Sequence, residues 1–182
     1  MSLADDLVRK YARQVDLPWK SNLSPAERVW MLVYPPTEER RLRIRLAELE
    51  QATVAAGKSW RALDLTDAFG LWLAAHDYAE AFFAEPDQLT GAVLEEFEHE
   101  VSGRLADALD APDVNESTVV AVVGAGALFP FMRASRLIES VDSHVRGRML
   151  VLFPGRLEVA TNSYRLLDAR DGFNYRALAI TA

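Results

Sequence analysis

The residues best spaced for ligand chemistry are two glycines, Gly124 and Gly126, which directly follow the apolar, β-branched run 119–123. Such a run predicts a buried strand, and open α/β sheets place their binding sites in loops after the carboxyl ends of strands. A dinucleotide fingerprint also needs a third glycine, where this chain has Phe129, and an acid at the end of the next strand, where it has Pro154. Two interpretations stay open: a loop for a nucleotide or S-adenosylmethionine, and glycines that allow close backbone approach and tight strand-to-helix packing.

Other residues extend this candidate loop because predicted strands end beside them. Asp64 closes a second apolar run, Pro154 and Gly155 close another, and the glycine turn leads on to Arg133. Since the carboxyl ends of parallel strands lie along the same edge of a sheet, we expect these strand ends to meet there. Asp64 has an equal alternative role as the cap of the following helix. The residues expected at that edge are Asp64, Gly124, Gly126 and Pro154, and Arg133 and Gly155 complete the predicted ligand or partner loop.

The sequence offers little else in an arrangement that catalysis or metal binding requires. It has no cysteine, no Gly-x-x-x-x-Gly-Lys-Ser/Thr phosphate loop and no serine in a Gly-x-Ser-x-Gly elbow. The histidines, His76, His99 and His144, are scattered, and His99 lacks the second histidine of a zincin helix. We therefore predict a protein without catalytic residues, metal or cofactor, and not an enzyme.

Length and charge restrict the class of partner. The chain has 182 residues, which suits a single domain, and a net charge of −7. DNA-binding domains are more often basic, so the acidic balance favours a protein or small-molecule partner. No apolar stretch reaches the length of a membrane span, and the acidic start lacks the basic-then-apolar order of a secretory signal. The expected location is therefore the cytoplasm.

A cluster of arginines is a separate candidate for nucleic-acid contact. Arg40, Arg41, Arg43 and Arg45 lie close together in one predicted helix, with acids such as Glu39 among them. Opposite charges at the spacing of Glu39 and Arg43 pair along a helix, which favours a solvated helix face. A phosphate-binding stripe is the alternative interpretation.

Apolar runs of strand length alternate with helical patterns, which predicts one α/β domain over residues 1–182. The predicted strands are 29–34, 61–65, 119–123, 149–153 and 175–180, and the predicted helices include 3–15, 37–56 and one starting at Pro130. This alternation is typical of a three-layer, mainly parallel, Rossmann-like sheet. Residues 66–110 show helical patterns without a convincing strand, and this stretch is longer than a crossover helix needs. We therefore expect a helical insert between the second and third strands.

The first part of this predicted insert is rich in aromatic residues. Its members, Phe69, Trp72, Tyr78, Phe82 and Phe83, exceed what one helix can bury on one stripe. They either form the core of the insert or present a docking surface for another protein, since large exposed apolar patches mark interfaces. Trp72 and Tyr78 are the predicted interface residues.

Several sequence blocks together resemble the BrxB family of bacterial BREX phage-defence systems. The blocks are residues 124–133 (GAGALFPFMR), 152–155 (LFPG) and 173–178 (FNYRAL), joined by 33–39 (VYPPTEE) and 62–65 (ALDL) in the amino-terminal half. The chain also departs from the family pattern. It has Phe129 where a tyrosine is usual, Ala134-Ser135 where a Ser-His pair is usual, and Arg156-Leu157 in place of an acidic-aromatic pair.

The resemblance implies a small, non-catalytic component encoded with an alkaline-phosphatase-like PglZ protein, a site-specific adenine methyltransferase and a large ATPase. Such a component is an assembly or adaptor subunit that binds the PglZ-type protein, with indirect contact to the methyltransferase and the ATPase, for host DNA methylation and phage restriction. Two alternatives stay open. One is a Rossmann-like enzyme or sensor that binds a nucleotide or S-adenosylmethionine at the Gly124 loop, which a deep pocket would favour. The other is a nucleic-acid-contacting subunit that uses the arginine helix, which a coherent basic surface would favour.

Overall fold

Five parallel strands form the centre of a seven-stranded sheet in the computed structural model, which describes residues 2–169 and 172–182. In chain order the strands are β1 (Val29–Tyr34), β2 (Ser59–Asp64), β3 (Thr118–Val123), β4 (Arg148–Glu158), β5 (Ser163–Leu166), β6 (Phe173–Asn174) and β7 (Leu178–Thr181). The parallel strands lie in the order β2-β3-β4-β1-β7, and β5 and β6 extend the carboxyl half of β4 with antiparallel pairing. The prediction of an α/β fold with a mainly parallel sheet is confirmed.

The strand order differs from that of dinucleotide-binding domains. In those domains the first strand lies beside the second at the centre of the sheet, whereas here β3 and β4 separate β1 from β2. The pairing is nevertheless regular, with Asp64 opposite Val123 and Tyr34 opposite Pro154. The carboxyl ends of the parallel strands therefore share one edge, although the strands follow another order than the Rossmann type.

Helices in the described residues cover both faces of this sheet. They are α1 (Leu3–Asp16), α2 (Glu39–Ile44), α3 (Leu46–Ala55), α4 (Ala68–Ala75), α5 (Ala79–Ala84), α6 (Gly91–Asp110) and α7 (Ala134–Val141). Buried residues of α1, α2 and α3 form one core cluster with the sheet, and buried residues of α4, α6 and α7 form the other. Two helical layers around a sheet are the three layers that the sequence predicts.

Strand β1 shows why both faces need a cover, because all six of its residues are buried. Trp30 and Leu32 belong to the cluster with α1, whereas Met31 and Val33 belong to the cluster with α6. Successive residues of a strand point to opposite faces, so a continuous apolar run is typical of a parallel strand buried on both sides. Strand β3 is buried along its whole length in the same way.

The helix predicted over 37–56 is divided into α2 and α3. A 3₁₀ turn at Pro36–Glu38 precedes α2, and Arg45 interrupts the helix with φ −98° and ψ 9°. At this break the guanidinium of Arg45 lies 2.5 Å from a carboxylate oxygen of Asp5, which ties the start of α3 to α1. The predicted end of the helix at Gly57 is confirmed, since its φ of 72° is the left-handed conformation in which helices commonly end.

The segment predicted as a helical insert holds α4, α5, a 3₁₀ turn at Pro86–Gln88 and α6. Helix α6 belongs to the layer that covers the sheet, because its Phe97, Val101 and Leu105 are buried in the core cluster with β1 and β3. Helices α4 and α5 are the additional elements. The segment is thus helical as predicted, but its largest helix is an integral part of the main fold.

Strand β4 passes through Pro154 and Gly155, so the strand end predicted at these two residues is wrong. Pro154 is the last residue of β4 that pairs with β1, and Gly155 is the first that pairs with β5. A proline has no N–H to donate to a central ladder, which explains why β4 changes partners at this point. The strand predicted over 175–180 is likewise replaced by the two shorter strands β6 and β7.

Helix α7 begins at Ala134, later than the start predicted at Pro130. The chain first makes a 3₁₀ turn over Ala125–Leu128, and Phe129 then has the extended φ of −77° and ψ of 137°. A residue before proline is disfavoured in the helical region, because the proline ring collides with its backbone. The peptide bond between Phe129 and Pro130 is cis. The predicted buried face of the helix is confirmed at Leu137, Ile138 and Val141.

Candidate functional site at the carboxyl edge of the sheet

The structure brings the predicted strand-end residues together at one edge of the sheet. Strands β2 and β3 are parallel neighbours, so Asp64 lies beside the turn that begins at Gly124. Gly126 lies against the ring of Pro154. Gly124, Gly126 and Pro154 also line the same concavity of about 290 Å³. The expected meeting of these residues is confirmed as geometry, and their role as a ligand or partner loop stays a prediction.

Gly124 is buried and adopts the left-handed φ of 81°. A Cβ atom at this position would lie 2.6 Å from Oγ1 of Thr66, 2.7 Å from its backbone nitrogen and 2.9 Å from Oδ1 of Asp64. Both the backbone conformation and the available space therefore require glycine. The sequence leaves two roles open for this glycine, a ligand loop and close backbone approach. The contacts with Thr66 and Asp64 account for the glycine by close approach.

Gly126 fills a similar but less extreme position. A Cβ atom there would lie 3.0 Å from Cγ of Pro154 and 3.7 Å from a methyl group of Leu167. The glycine turn is thus packed against β4 and against the residue that follows β5. Two glycines in a Gly-x-Gly turn are explained by packing on two different neighbours.

A polar network surrounds Gly124 and uses residues from three segments. Arg43 of α2 donates from Nε to Oε1 of Glu39 at 2.9 Å and from Nη1 to Oδ2 of Asp64 at 3.2 Å, and it also donates to Thr66. The hydroxyl of Tyr34 donates to the other oxygen of Glu39 at 2.5 Å. The network joins the end of β1, helix α2 and the loop after β2. The donors Tyr34 and Arg43 bond the carboxylates of Glu39 and Asp64, so the network satisfies its own hydrogen-bonding groups.

Asp64 closes the turn after β2 and does not cap helix α4. Its Oδ1 accepts from the backbone N–H of Thr66 at 2.9 Å and from the Thr66 hydroxyl at 2.5 Å. The helix begins only at Ala68, after Asp67, whose side chain makes no capping bond. A side chain that bonds the backbone two residues further on is an Asx turn. The sequence leaves two roles open for Asp64, a helix cap and a position beside the glycine turn. In the structure Asp64 lies beside the glycine turn and does not cap the helix.

The surroundings of Asp64 and Tyr34 fix the protonation states of these two side chains. Burial alone would raise the pKa of Asp64, but hydrogen bonds from Thr66 and then from Arg43 outweigh it and hold the pKa below the ordinary value. Burial, and next the charge of Glu39, raise the pKa of Tyr34 well above its ordinary value. Tyr34 therefore remains a neutral donor and Asp64 an anionic acceptor near neutral pH.

The remaining members of the predicted loop lie elsewhere. Gly155 is inside β4, where a Cβ atom would lie 2.1 Å from the carbonyl oxygen of Arg165, so the glycine permits the antiparallel pairing with β5. Arg133 is exposed at the residue before α7 and lines a separate cavity of about 200 Å³ with Phe129 and Phe173. The structure therefore separates Arg133 and Gly155 from the concavity at Gly124.

The two predicted interface residues differ in burial. Trp72 is half-buried and packs against the core, with its ring 5.8 Å from Phe69 and 5.4 Å from Phe97 between centroids. Tyr78, between α4 and α5, is 67% exposed. Tyr78 is thus exposed, whereas much of Trp72 supports the fold, and the interface role of both residues stays a prediction.

The arginines of α2, and Arg45 at the break after it, are largely paired with acids. Arg41 bonds to Glu38 at 2.7 Å, Arg43 to Glu39 and Asp64, and Arg45 to Asp5 and Glu48. Arg40 is exposed and has no ion-pair partner within residues 2–169 and 172–182. Paired arginines have less charge to offer a phosphate, so this helix supports the interpretation of a solvated face.

Within the described part of the chain, no group of three or more histidine, cysteine or acidic side chains is placed to hold a metal ion. His76 accepts from the backbone N–H of Tyr78 and lies 3.3 Å from Glu96, and His144 lies 2.7 Å from Asp110. None of the helices among these residues combines the length and the apolar character needed to cross a bilayer.

The sequence does not indicate two features of the structure, the contribution of Tyr34 and Thr66 to the polar network and the burial of Arg148. Tyr34 and Thr66 complete the network around Gly124, but only the spacing of Glu39 and Arg43 signals it locally. Arg148, the first residue of β4, is only 5% exposed and contacts Trp19 and Trp30. An arginine before an apolar run is an ordinary strand boundary in sequence, so nothing local indicates its burial.

Comparison with protein-family models identifies a family for this chain. The family model described as BREX protein BrxB matches residues 70–180, which is more than half of the chain. No curated protein and no solved structure gave a match. The matched region runs from α4 to β7 and contains both the glycine turn and Tyr78.

Proposed function

The chain belongs to the BrxB family of BREX proteins, and from this premise we propose that it is a non-catalytic assembly subunit. Its partner in this proposal is the PglZ-type, alkaline-phosphatase-like protein of the same phage-defence system. Contacts with the methyltransferase and the large ATPase are indirect, through that partner. The proposed setting is the cytoplasm, where host DNA is methylated and phage DNA is restricted.

The observation that carries this proposal is an exposed groove beside α4, in which apolar and aromatic side chains lie among charged ones. The α4 groove, as we call it, has a volume of about 640 Å³ and is lined by Leu71, Trp72, His76, Tyr78, Glu96 and Arg104, among others. Leu71 is 63% exposed and Tyr78 is 67% exposed. Apolar surface of this kind is costly to leave in water, and contiguous patches of it mark interaction sites.

The α4 groove has the composition of an interface. Its floor is rigid, because Trp72 is packed against Phe69 and Phe97 of the core. Its far wall comes from α6 and is charged, with the acids Glu96 and Glu100 and the base Arg104. A fixed aromatic anchor within a polar rim is typical of protein–protein contacts, in which tyrosine, tryptophan and arginine carry most of the binding energy.

The glycine turn supports a structural role in the same proposal. The space beside Gly124 is filled by Thr66 and Asp64, and Arg43 is engaged by two carboxylates. A nucleotide phosphate at this edge would have to displace Asp64 from Arg43. We therefore propose that the carboxyl edge holds loops in place and catalyses no reaction.

The test is copurification with the PglZ-type protein encoded with this chain. Tagged wild-type protein should retain the partner, and Tyr78→Ala should lower the affinity by about 30-fold, which corresponds to about 2 kcal/mol for an interface anchor. Leu71→Ser should weaken the complex in the same direction. Ile44→Ser is the matched control, since Ile44 is 76% exposed on α2, away from the α4 groove.

Circular dichroism should show that these exposed substitutions leave the fold intact. Retention of the partner by wild type and by both groove variants alike would contradict the α4 groove as the interface. Absence of any association between the two folded proteins at micromolar concentration would refute the assembly function itself.

A further inference from the structure

A second cleft lies at the opposite end of the sheet, where β1 and β4 begin. It has a volume of about 520 Å³, and Trp19, Lys20, Trp30, Arg148, Arg176 and Leu178 are among its lining residues. We call it the Arg148 cleft. It shares none of its lining residues with the α4 groove or with the concavity at Gly124.

Arg148 is held rigidly in this cleft. Its side chain donates from Nη1 to the carbonyl oxygen of Gly147 at 2.8 Å and from Nη2 to that of Lys20 at 3.1 Å. The guanidinium carbon lies 4.6 Å from the ring centroid of Trp19 and 5.8 Å from that of Trp30. Two hydrogen bonds and the neighbouring indole rings restrict the orientation of the guanidinium, so its remaining N–H groups are arranged in advance for an acceptor.

The charge of Arg148 is buried without a compensating acid. The residue is 5% exposed, and no ion pair joins it to a carboxylate anywhere in residues 2–169 or 172–182. Burial, and then the charge of nearby Arg28, lower the pKa of Arg148. A buried charge is costly unless it is paired. Arg43 and Arg45, which are less buried than Arg148, do have acids beside them.

The surroundings add further positive charge. Lys58 lies 4.6 Å from the ring centroid of Trp19, and Lys20 and Arg176 line the cleft. The acid among the lining residues is Glu27, whose carboxylate is bonded to the N–H of Ser24 at 2.9 Å and to its hydroxyl at 2.7 Å. In a chain with a net charge of −7, a concave basic cluster of this kind is a local exception.

We propose that the Arg148 cleft binds a carboxylate from an acidic segment of a partner protein, with Arg148 and Arg176 contacting the carboxylate. An apolar side chain next to that carboxylate packs on Leu17 and Trp19. This inference rests on the proposed function as an assembly subunit and adds a second contact surface, remote from the α4 groove.

Several features favour a protein carboxylate over nucleic acid. The cleft is concave, whereas a duplex needs a basic surface that follows successive phosphates. A planar guanidinium also matches the two oxygens of a carboxylate, and the apolar lining from Leu17, Pro18 and Leu23 suits a peptide.

The test is a nuclear magnetic resonance titration of the full chain with small probes. A capped leucyl-glutamate dipeptide should shift the indole N–H signals of Trp19 and Trp30 saturably, with a dissociation constant of about 1 mM for one docked residue. The isosteric leucyl-glutamine dipeptide and inorganic phosphate should bind at least about 10-fold more weakly. Trp60 and Trp72, outside the lining of the cleft, provide internal control signals.

Variants keep the test decisive. Arg176→Gln changes an exposed residue and should weaken dipeptide binding several-fold without unfolding the protein. Arg148→Lys keeps the charge but loses the planar fork, and it should weaken binding more strongly if it folds. Equal binding of the glutamate and glutamine probes, tighter binding of phosphate, or no saturable shift would each overturn the inference.

The outcome can be separated from that of the proposed function. If the dipeptide fails to bind while the PglZ-type protein still associates through the α4 groove, the inference about the Arg148 cleft is wrong and the assembly function stands. If the dipeptide binds with the predicted selectivity while no complex forms with the PglZ-type protein, the cleft is supported and the assembly function is refuted.

Discussion

Replacing Gly124 by alanine tests whether the glycine turn is filled by packing. The φ of 81° costs an L-residue about 1–2 kcal/mol. The new Cβ would also lie 2.6 Å and 2.7 Å from atoms of Thr66, one of them in the backbone, and overpacking of this kind costs about 1–3 kcal/mol. We therefore expect Gly124→Ala to lower the free energy of unfolding by about 2–5 kcal/mol.

The assay is equilibrium unfolding in urea, supported by thermal denaturation. A loss of this size lowers the melting temperature by about 5–15 °C in a domain of this length. Gly103→Ala is the matched control, because Gly103 lies in helix α6 and a Cβ atom added there would have no other group within 4 Å. That substitution should raise the stability by about 0.5–1 kcal/mol.

A stability of Gly124→Ala within about 0.5 kcal/mol of wild type would refute the packing argument. It would mean that the turn has room beside Thr66 and Asp64. A ligand loop would then become the better explanation of the Gly-x-Gly sequence.

Three further predictions concern the same edge and the arginine helix. Because the pKa of Asp64 in the folded protein lies below its ordinary value of 3.8, its carboxylate stabilises the protein above that pH, and this contribution is lost as the pH falls. The free energy of unfolding of Asp64→Asn, measured by urea denaturation at several acidic pH values, should therefore fall less steeply with decreasing pH than that of wild type. Calorimetry should detect no micromolar binding of ATP or S-adenosylmethionine, and binding abolished by Gly126→Trp would contradict this. Duplex DNA at about 150 mM salt should bind no tighter than about 10⁻⁶ M, and sub-micromolar binding lost on neutralising Arg40, Arg41 and Arg45 would favour a nucleic-acid role.

The parts of the fold that the sequence predicts well are those with strong local patterns. Strands β1 and β3 are apolar without interruption, and burial on both faces of a parallel sheet demands that pattern. Gly57 ends a helix in the conformation for which glycine is preferred. In each case one physical requirement acts on neighbouring residues.

The predictions that are wrong have two physical causes. Pro154 and Gly155 suggest a turn locally, yet β4 continues because β5 pairs with it from that point on, and local residue preferences cannot include such a long-range contact. The start of α7 is a local error. Pro130 suits the first position of a helix, but a proline also disfavours the helical conformation at the preceding Phe129, and α7 begins only at Ala134.

The candidate sites divide in the same way. The spacing of Glu39 and Arg43 indicates an ion pair, whereas the contact of Arg43 with Asp64 exists only because α2 packs at the end of β2. Arg148 is buried by Trp19, which is far away in sequence. Sites assembled from separate segments become visible only with the fold.

The most direct test of the assembly function is the dissociation constant between the purified chain and the PglZ-type protein, measured by calorimetry at near-physiological salt. We predict a saturable complex at micromolar or lower concentration that Tyr78→Ala weakens by about 30-fold and Ile44→Ser leaves unchanged. No detectable complex between the two folded proteins at micromolar concentration would contradict the assembly function.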